Sequence, residues 1–210
     1  TDSAVLYLRE SDSQPITPAA YDPRFSVPYG TGDVTPVRFD GATIFVQDTG
    51  KVVRELLWND LQDSYVGEPI SLVSNDMIND VQQMTVFYGN TTGPEQWALI
   101  INADGTCAIY HSVRSEKIAA WYPWTTTGNF ESVTELNGIV YTSVKRTIPS
   151  STVVYYLEQF DFDKTVDCSA TLSSVSGNTW GGLAHLVSGG SGYSASVVDG
   201  NLYHGLFTIN

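Results

Sequence analysis

Three histidines are the residues of this sequence whose chemistry most readily serves catalysis or metal binding: His111, His185 and His204. Imidazole titrates near neutral pH and is the commonest metal ligand, so the spacing of histidines is informative. These positions fit neither an H-E-x-x-H nor an H-x-H pattern. The sequence also has no G-x-S-x-G nucleophile elbow and no local Cys–His signature. We therefore expect structural histidines and predict no catalytic residue.

Carboxylates are abundant, with 23 Asp+Glu in 210 residues. Asp161, Asp163 and Asp167 have the residue type of a calcium loop, but the central glycine and terminal glutamate of an EF-hand are missing. A solvated turn is the expected structure there. A catalytic carboxylate pair of the glycosidase kind is not indicated either, because so many acids supply such pairs by chance. The sequence therefore predicts no bound metal and no cofactor.

The two cysteines, Cys107 and Cys168, are not part of a C-x-x-C motif or a Cys/His cluster. We expect two reduced, half-buried thiols, and the alternative is a long-range disulfide. Asn90-Thr91-Thr92 fits the pattern of an N-glycosylation acceptor in a loop. With no signal peptide in the sequence, we give this triplet no weight.

Aromatic and paired charged residues suggest binding rather than catalysis. Trp121, Tyr122 and Trp124 cluster at a predicted strand end, where exposed rings could stack on sugars or anchor a partner. We expect instead that Trp121 points into the core while Tyr122 and Trp124 pack between blades. Arg54-Glu55 has the residue types of a core or intersubunit ion pair, and two solvated charges would fit the same pattern.

The elements that must position these residues are almost all strands. One short helix is predicted over Leu72–Val81, with Ser74 as its cap and Asp76 near the positive end of its dipole. The remaining apolar runs are rich in β-branched and aromatic residues. The predicted strands are Thr43–Gln47, Lys51–Trp58, Gln83–Tyr88, Trp97–Asn102, Thr106–Ser112, Lys117–Tyr122, Phe130–Leu136, Gly138–Val144, Thr152–Gln159 and Leu202–Ile209.

Specific turn residues separate these strands. Asp104-Gly105 and Asn137-Gly138 are dipeptides typical of two-residue type I′ hairpins, which need positive φ at both central positions. Asp48-Thr49-Gly50 predicts a slightly longer hairpin loop with a left-handed glycine, and Asp199-Gly200-Asn201 predicts a further turn. Strands joined in this way are antiparallel neighbours, so the chain is expected to form a meander.

A rough repeat refines the fold class. Gln83–Tyr122 contains four strands, and Phe130–Gln159 contains three more, with Ser169–Ser174 as a candidate fourth. Four short antiparallel strands in ~40 residues are the unit of a β-propeller blade. We predict an all-β antiparallel meander of blade-like sheets, a partial or open propeller, with a small C-terminal β subdomain. A β-sandwich is the alternative.

Composition predicts three segments. Residues 1–41 are expected to form an extended arm, because Ser11–Asp40 holds five of the nine prolines. Residues 42–165 are expected to form the propeller-like domain. Residues 166–210, rich in Ser, Gly and Val and without Lys or Arg, are expected to form the small subdomain.

Charge excludes some functions. The net charge is −13 and the pI about 4.3, so a sequence-specific nucleic-acid reader is excluded, since its surface would repel phosphate.

Hydrophobic residues make up 42%, too many for a disordered chain. No apolar run reaches the ~18–20 residues of a membrane-spanning helix. The sequence starts without Met or a signal peptide, so we expect a fragment or processed product.

A series of segments follows the order and spacing of one known pattern. The first is Val52–Trp58, followed by Asp63–Gly67, which is similar to the pattern grkVREl.Y…dgY. The further segments are Trp97–Ile100 with Ala103–Thr106, Lys117–Trp121, Gly128–Val133, Tyr141–Arg146, Tyr155–Phe160, Trp180–Leu186 and Val197–Gly200. Together these segments resemble the tail nozzle or tail tubular structural proteins of short-tailed bacteriophages. Asn75–Ile78 departs from the pattern, because the histidine expected there is missing.

This resemblance implies a structural role without catalysis. It implies a propeller-like domain in a homo-oligomeric ring that lies on the tail axis of the virion. This ring would contact other tail proteins, and DNA would pass through it during genome ejection. The acidity would then keep DNA from sticking as it moves. A carbohydrate-binding or carbohydrate-active β-propeller that uses the Trp121–Trp124 cluster is the alternative, and an extracellular adhesion module is a third hypothesis.

Overall fold

The computed structural model describes residues 4–8, 16–18, 21, 23–89, 96–148 and 151–161, and the backbone of 168–171, 195–198 and 201–204. The fold is all-β with antiparallel sheets, as predicted. The chain divides into two compact units, Thr1–Trp124 and Thr125–Asn210. The boundary between them lies inside the predicted 42–165 domain, and the segment limits drawn from composition, at 41 and 165, stay predictions.

Ten strands of the first unit are described. They are β1 Val5–Leu8, β2 Pro23–Val27, β3 Val37–Phe39, β4 Ala42–Val46, β5 Val53–Asn59, β6 Ser64–Pro69, β7 Val81–Phe87, β8 Trp97–Asn102, β9 Cys107–Val113 and β10 Ile118–Trp124. They form a two-stranded ribbon, β1-β2, and two four-stranded sheets, β3-β4-β5-β6 and β7-β8-β9-β10. In both larger sheets every strand pairs with its neighbour in sequence, which is the meander of a propeller blade.

The second meander is the four-stranded unit predicted over Gln83–Tyr122, and that prediction is confirmed. The first meander is larger than expected, because only β4 and β5 were predicted. Asp40-Gly41 joins β3 to β4 with φ of 46° and 82°, the conformation of a type I′ turn. Both missed strands, β3 and β6, lie at the edges of their sheet.

The core of the first unit lies between its two four-stranded sheets. Alternate residues of β4 and β5, among them Ile44, Val46 and Val53, pack with Ile100 of β8 and Tyr110 of β9. The opposite face of β8 and β9 is also buried, since Leu99 and Ile109 have 0% exposure. Both faces of these two central strands are therefore buried.

The described strands of the second unit form two three-stranded sheets. Strands β11 Asn129–Leu136, β12 Ile139–Ile148 and β13 Thr152–Gln159 pair in that order. Strands β14 Cys168–Thr171, β15 Ala195–Val198 and β16 Asn201–His204 pair as β14-β16-β15. The expectation that Ser169–Ser174 adds a fourth strand to the sheet of β13 is wrong, because β14 pairs with β16 instead. Of the predicted strand Leu202–Ile209, residues 205–209 lie outside the described part.

The predicted helix over Leu72–Val81 is wrong in length and type. A 3-10 helix covers Leu72–Met77, and Val81 already belongs to β7. Ser74 does not cap it, because Ser74 lies inside the helix with non-helical angles, φ −127° and ψ 36°. The side chain of Ser71 instead accepts the N–H of Val53 at 3.0 Å. No helix among the described residues is long and apolar enough to cross a lipid bilayer.

Candidate functional site

Three acidic turns meet at one end of the first unit, and we call Asp48, Asp80 and Asp104 the acidic end. The N–H of Val81 donates to the carbonyl of Gly50 at 3.1 Å, which joins the β4–β5 turn to the start of β7. The N–H of Ala103 donates to the carbonyl of Asp80 at 3.0 Å, which adds the β8–β9 turn. All three aspartates of the acidic end are exposed.

The local sequence fixes these turns. Asp104-Gly105 has positive φ only at the glycine, 81°, and the N–H of Gly105 donates to Asn102, so this is not the type I′ turn expected. It is a type I turn followed by a left-handed glycine, the commonest three-residue hairpin. The predicted left-handed glycine of Asp48-Thr49-Gly50 is confirmed, with φ of 70°.

Asp104 is held by hydrogen bonds that favour its ionised form. One carboxylate oxygen accepts the hydroxyl of Thr106 at 2.6 Å and its N–H at 3.0 Å, and the other accepts the side-chain amide of Asn79 at 3.1 Å. The Thr106 hydroxyl, and then its N–H, lower the pKa of Asp104 below the ordinary 3.8. Asp104 therefore holds a fixed negative charge at the acidic end, which repels phosphate and other anions.

Glu55 and Arg54 do not act as a pair, because neighbours in a strand point to opposite faces of the sheet. Glu55 is buried and forms an ion pair with Arg114, whose main-chain N–H also donates to Asp40 at 3.0 Å. Arg54 donates to the Gln47 side chain at 2.8 Å and lies over the ring of Tyr29 at 3.6 Å. The contacts of Glu55 and Arg54 therefore link strand β5 to neighbouring turns of the first unit.

The predicted aromatic cluster is divided between two environments. The indole N–H of Trp121 donates to the carbonyl of Ile70 at 2.9 Å, and its ring lies 4.8 Å from that of Tyr110 beside the core. Trp124 packs edge-on against Trp97 at 6.1 Å and lies 6.5 Å from Tyr122. All three side chains of the cluster are half-buried, so they do not form one open platform for a sugar ring.

Of the remaining predicted residues, His111 lies on β9 and Asp161 follows β13. His111 packs edge-on near Trp97 at 6.2 Å. The imidazole Nε2 of His111 is buried and has no hydrogen-bond partner within the described part of the chain. His204 lies in β16, and of its side chain nothing is described. Three of the predicted positions lie outside the described residues: His185, the triplet Asn90-Thr91-Thr92, and Asp163 with Asp167. Asp161 is exposed just after β13.

Cys107 is a free, buried thiol on β9. Burial raises the pKa of the Cys107 thiol to about 12, so the nucleophilic thiolate is scarce at neutral pH. Cys168 lies in β14. Among the described residues, no group of three or more His, Cys, Asp or Glu side chains is arranged to hold a metal ion.

Two arrangements were missed by sequence reasoning. Arg146, 1% exposed, pairs with Glu158 across β12 and β13. Tyr7, Trp58 and Tyr65 form an edge-to-face cluster, with ring centroids 5.1 to 6.2 Å apart, that joins the ribbon to the sheet of β5 and β6. The local sequence signal of the Arg146–Glu158 pair is an arginine placed between the apolar residues Val144 and Ile148. The second arrangement has none, because Tyr7 is far from Trp58 in sequence.

Comparison with known proteins yields no relative, since the chain matches no protein-family model and no curated protein.

Proposed function

We propose that this chain is a non-catalytic structural component of a bacteriophage tail, a subunit of the ring through which the genome passes. The observation that carries the proposal is the order of the family-like segments. Those between Val52 and Phe160 fall, in chain order, on β5, β6, β8 and β10 to β13, and one of them lies in the turn between β8 and β9. Similarities that follow the order of the strands along the chain are what a shared β-meander would produce.

The charge of the chain fits this role. At −13 the chain repels a polyanion, and the acidic end concentrates part of this charge in rigid turns. DNA that slides past such a surface has no phosphate contacts to break, so it is not retained. The half-buried positions of Trp121 and Trp124 do not favour the carbohydrate-binding alternative, and we do not propose it.

Immunogold labelling of virus particles that carry the gene tests the location. We expect antibodies against the chain to label the tail, because a nozzle subunit is a permanent part of the particle. Absence of the chain from purified particles would contradict the proposal. A glycan array of the purified chain provides a second test, since specific retention of a polysaccharide would favour the carbohydrate alternative.

The proposed role of the acidic end has its own test. Replacing Asp48, Asp80 and Asp104 by Asn removes three charges while keeping side chains of the same shape. We expect slower DNA release from particles that carry this triple variant, because fewer negative charges oppose DNA contact. The matched control is Asp60→Asn with Asp63→Asn and Glu68→Gln, which removes the same charge from other exposed positions. Equal release rates for the two triple variants would contradict a specific role of the acidic end.

A further inference from the structure

Two strips of exposed apolar side chains stand out on this otherwise acidic chain. The ribbon strip consists of Leu6, Leu8 and Phe25, which are 55%, 53% and 78% exposed. The β13 strip consists of Val153, Tyr155 and Leu157, which are 47%, 62% and 78% exposed. Each strip follows the alternation of a strand, so its members share one face. Contiguous exposed apolar residues of this kind mark interaction sites more often than isolated ones do.

The ribbon strip is held outward by the packing of the opposite ribbon face. Leu6 pairs with Phe25, so both lie on one face, while Tyr7 lies on the other. Tyr7 packs edge-on against Tyr65, and the hydroxyl of Ser26 donates to the carbonyl of Tyr65 at 2.7 Å. The ribbon therefore has a fixed orientation on β6, and its strip points away from that sheet.

The β13 strip is held outward in the same way. The alternate residues of β13 include Glu158, which is bound to the buried Arg146 on the core face of the sheet. On the exposed face, β12 supplies Lys145, whose ammonium lies 4.0 Å from Glu131. That pair is neutral overall, so the face around the β13 strip carries little net charge.

The charge of the chain indicates which partner fits these strips. Two copies at −13 each repel one another, so they meet most readily where carboxylates are absent or paired. Neither strip contains an acidic residue, and Glu131, on the same face as the β13 strip, is paired with Lys145. If the ribbon strip of each copy packs on the β13 strip of the next copy, every copy in the series has both of its strips covered. Such head-to-tail, heterologous contacts generate rings when the rotation between copies closes.

We propose that the ribbon strip of one copy packs on the β13 strip of a second copy of this chain. The proposal rests on the proposed function, in that it names the surfaces by which the ring subunits meet. Three side chains on each partner bury a smaller surface area than the ~800 Å² per partner of a standard interface. The contact between two copies is therefore weak, and assembly depends on concentration unless a ring closes.

Sedimentation velocity of the purified chain and two variants tests the proposal. Phe25→Asp disables the ribbon strip, and Leu157→Asp disables the β13 strip. We expect wild-type chain to assemble as its concentration rises, and each variant alone to dissociate with a constant at least about tenfold higher. An equal mixture of the two variants retains one intact strip of each kind, so it should form dimers and nothing larger.

The control is Leu61→Asp, at a 98% exposed position that belongs to neither strip, and this variant should assemble like wild type. Milder variants, Leu8→Ser and Tyr155→Ser, repeat the test if an aspartate disturbs folding, which circular dichroism would reveal. A wild-type chain that stays monomeric, or a variant mixture that stays monomeric, would overturn the proposal. So would one aspartate variant that assembles like wild type. None of these outcomes bears on whether the chain occurs in virus tails, which the labelling experiment decides separately.

Discussion

Arg146 and Glu158 form a bidentate ion pair in which the guanidinium Nε and one of its terminal nitrogens each donate to a different carboxylate oxygen at 2.8 Å. The other terminal nitrogen donates to the carbonyl of Thr127 at 2.7 Å. The arginine is 1% exposed and lies in the face of β12 that also carries the buried Val144. Because every arm of the guanidinium has an acceptor, the charge is tolerated inside the sheet.

Glu158→Ala is expected to destabilise the second unit by about 2–4 kcal/mol, because it leaves a buried guanidinium without its counter-charge. Urea titration, with hydrogen exchange read over β11 to β13, measures the loss. The matched control is Glu131→Ala, which breaks the exposed pair with Lys145 and should cost less than about 0.5 kcal/mol. The double variant Arg146→Met with Glu158→Leu should recover most of the loss. Equal effects of the two single alanine variants would contradict the assigned role of the buried pair.

Gly67→Ala is expected to loosen the ribbon, because a Cβ at this position would lie 2.7 Å from Cγ1 of Val27. The stiff valine cannot turn away easily, so we expect a cost of about 1–3 kcal/mol. Limited proteolysis of β1 and β2, together with urea titration, measures it. Adding Val27→Ala makes room, so the double variant should lose less than the sum of the single losses. Gly32→Ala is the control, since its nearest contact would be an ordinary 3.7 Å.

Cys107 is expected to resist thiol reagents in the folded chain, because burial raises its pKa to about 12. In a Cys168→Ser variant, the absorbance change with a disulfide reagent at neutral pH should be slow and should become fast in urea. Raising the pH from 7 to 9 should increase the rate in the folded state without a plateau, since the thiol stays far below its pKa. A fast reaction in the folded state would contradict the buried position.

Asp104 is expected to make stability depend on pH in the acid range. The pKa of Asp104 is lower in the folded state than in the unfolded state. Its stabilising contribution is therefore complete when the pH lies above the pKa of the unfolded state, and it is lost as the pH falls through the pKa of the folded state. The stability difference between wild type and Asp104→Ala should therefore be constant at neutral pH and should shrink below about pH 4. Carboxyl NMR titration of Thr106→Val should show the pKa of Asp104 moving up toward 3.8, because the hydroxyl donor is the largest cause of the shift. An unchanged pKa in that variant would contradict this cause.

Features fixed by neighbouring residues were predictable from sequence. The Asn137-Gly138 turn has φ of 54° and 76°, which is the expected type I′ geometry, and β8 and β13 begin and end where predicted. Strand β6 escaped prediction because it contains Gly67 and Pro69, two residue types that strands disfavour. Its glycine is explained only by the ribbon, since Val27 takes the space that a side chain at position 67 would fill.

Long-range partners were not predictable. Glu55 pairs with Arg114, which lies in a 3-10 turn just after β9, and nothing in the sequence near either residue indicates the other. Glu158 lies opposite Thr142 in the strand register, not opposite Arg146. Even a correct prediction of both strands would therefore not reveal the Arg146–Glu158 pair, because the long arginine side chain reaches past its direct cross-strand neighbour. The acidic end likewise depends on hydrogen bonds between turns that are distant in sequence.

The strictly sequential pairing of both four-stranded sheets also bears on how the chain acquires its structure. Each strand finds its partner across one short connection, so little loop entropy is lost before a pair forms, and contact order is low for a β protein. A sheet of this kind can grow one hairpin at a time as the polypeptide leaves the ribosome. We therefore expect β3 to β6 to become protected on a nascent chain before β13 has been synthesised.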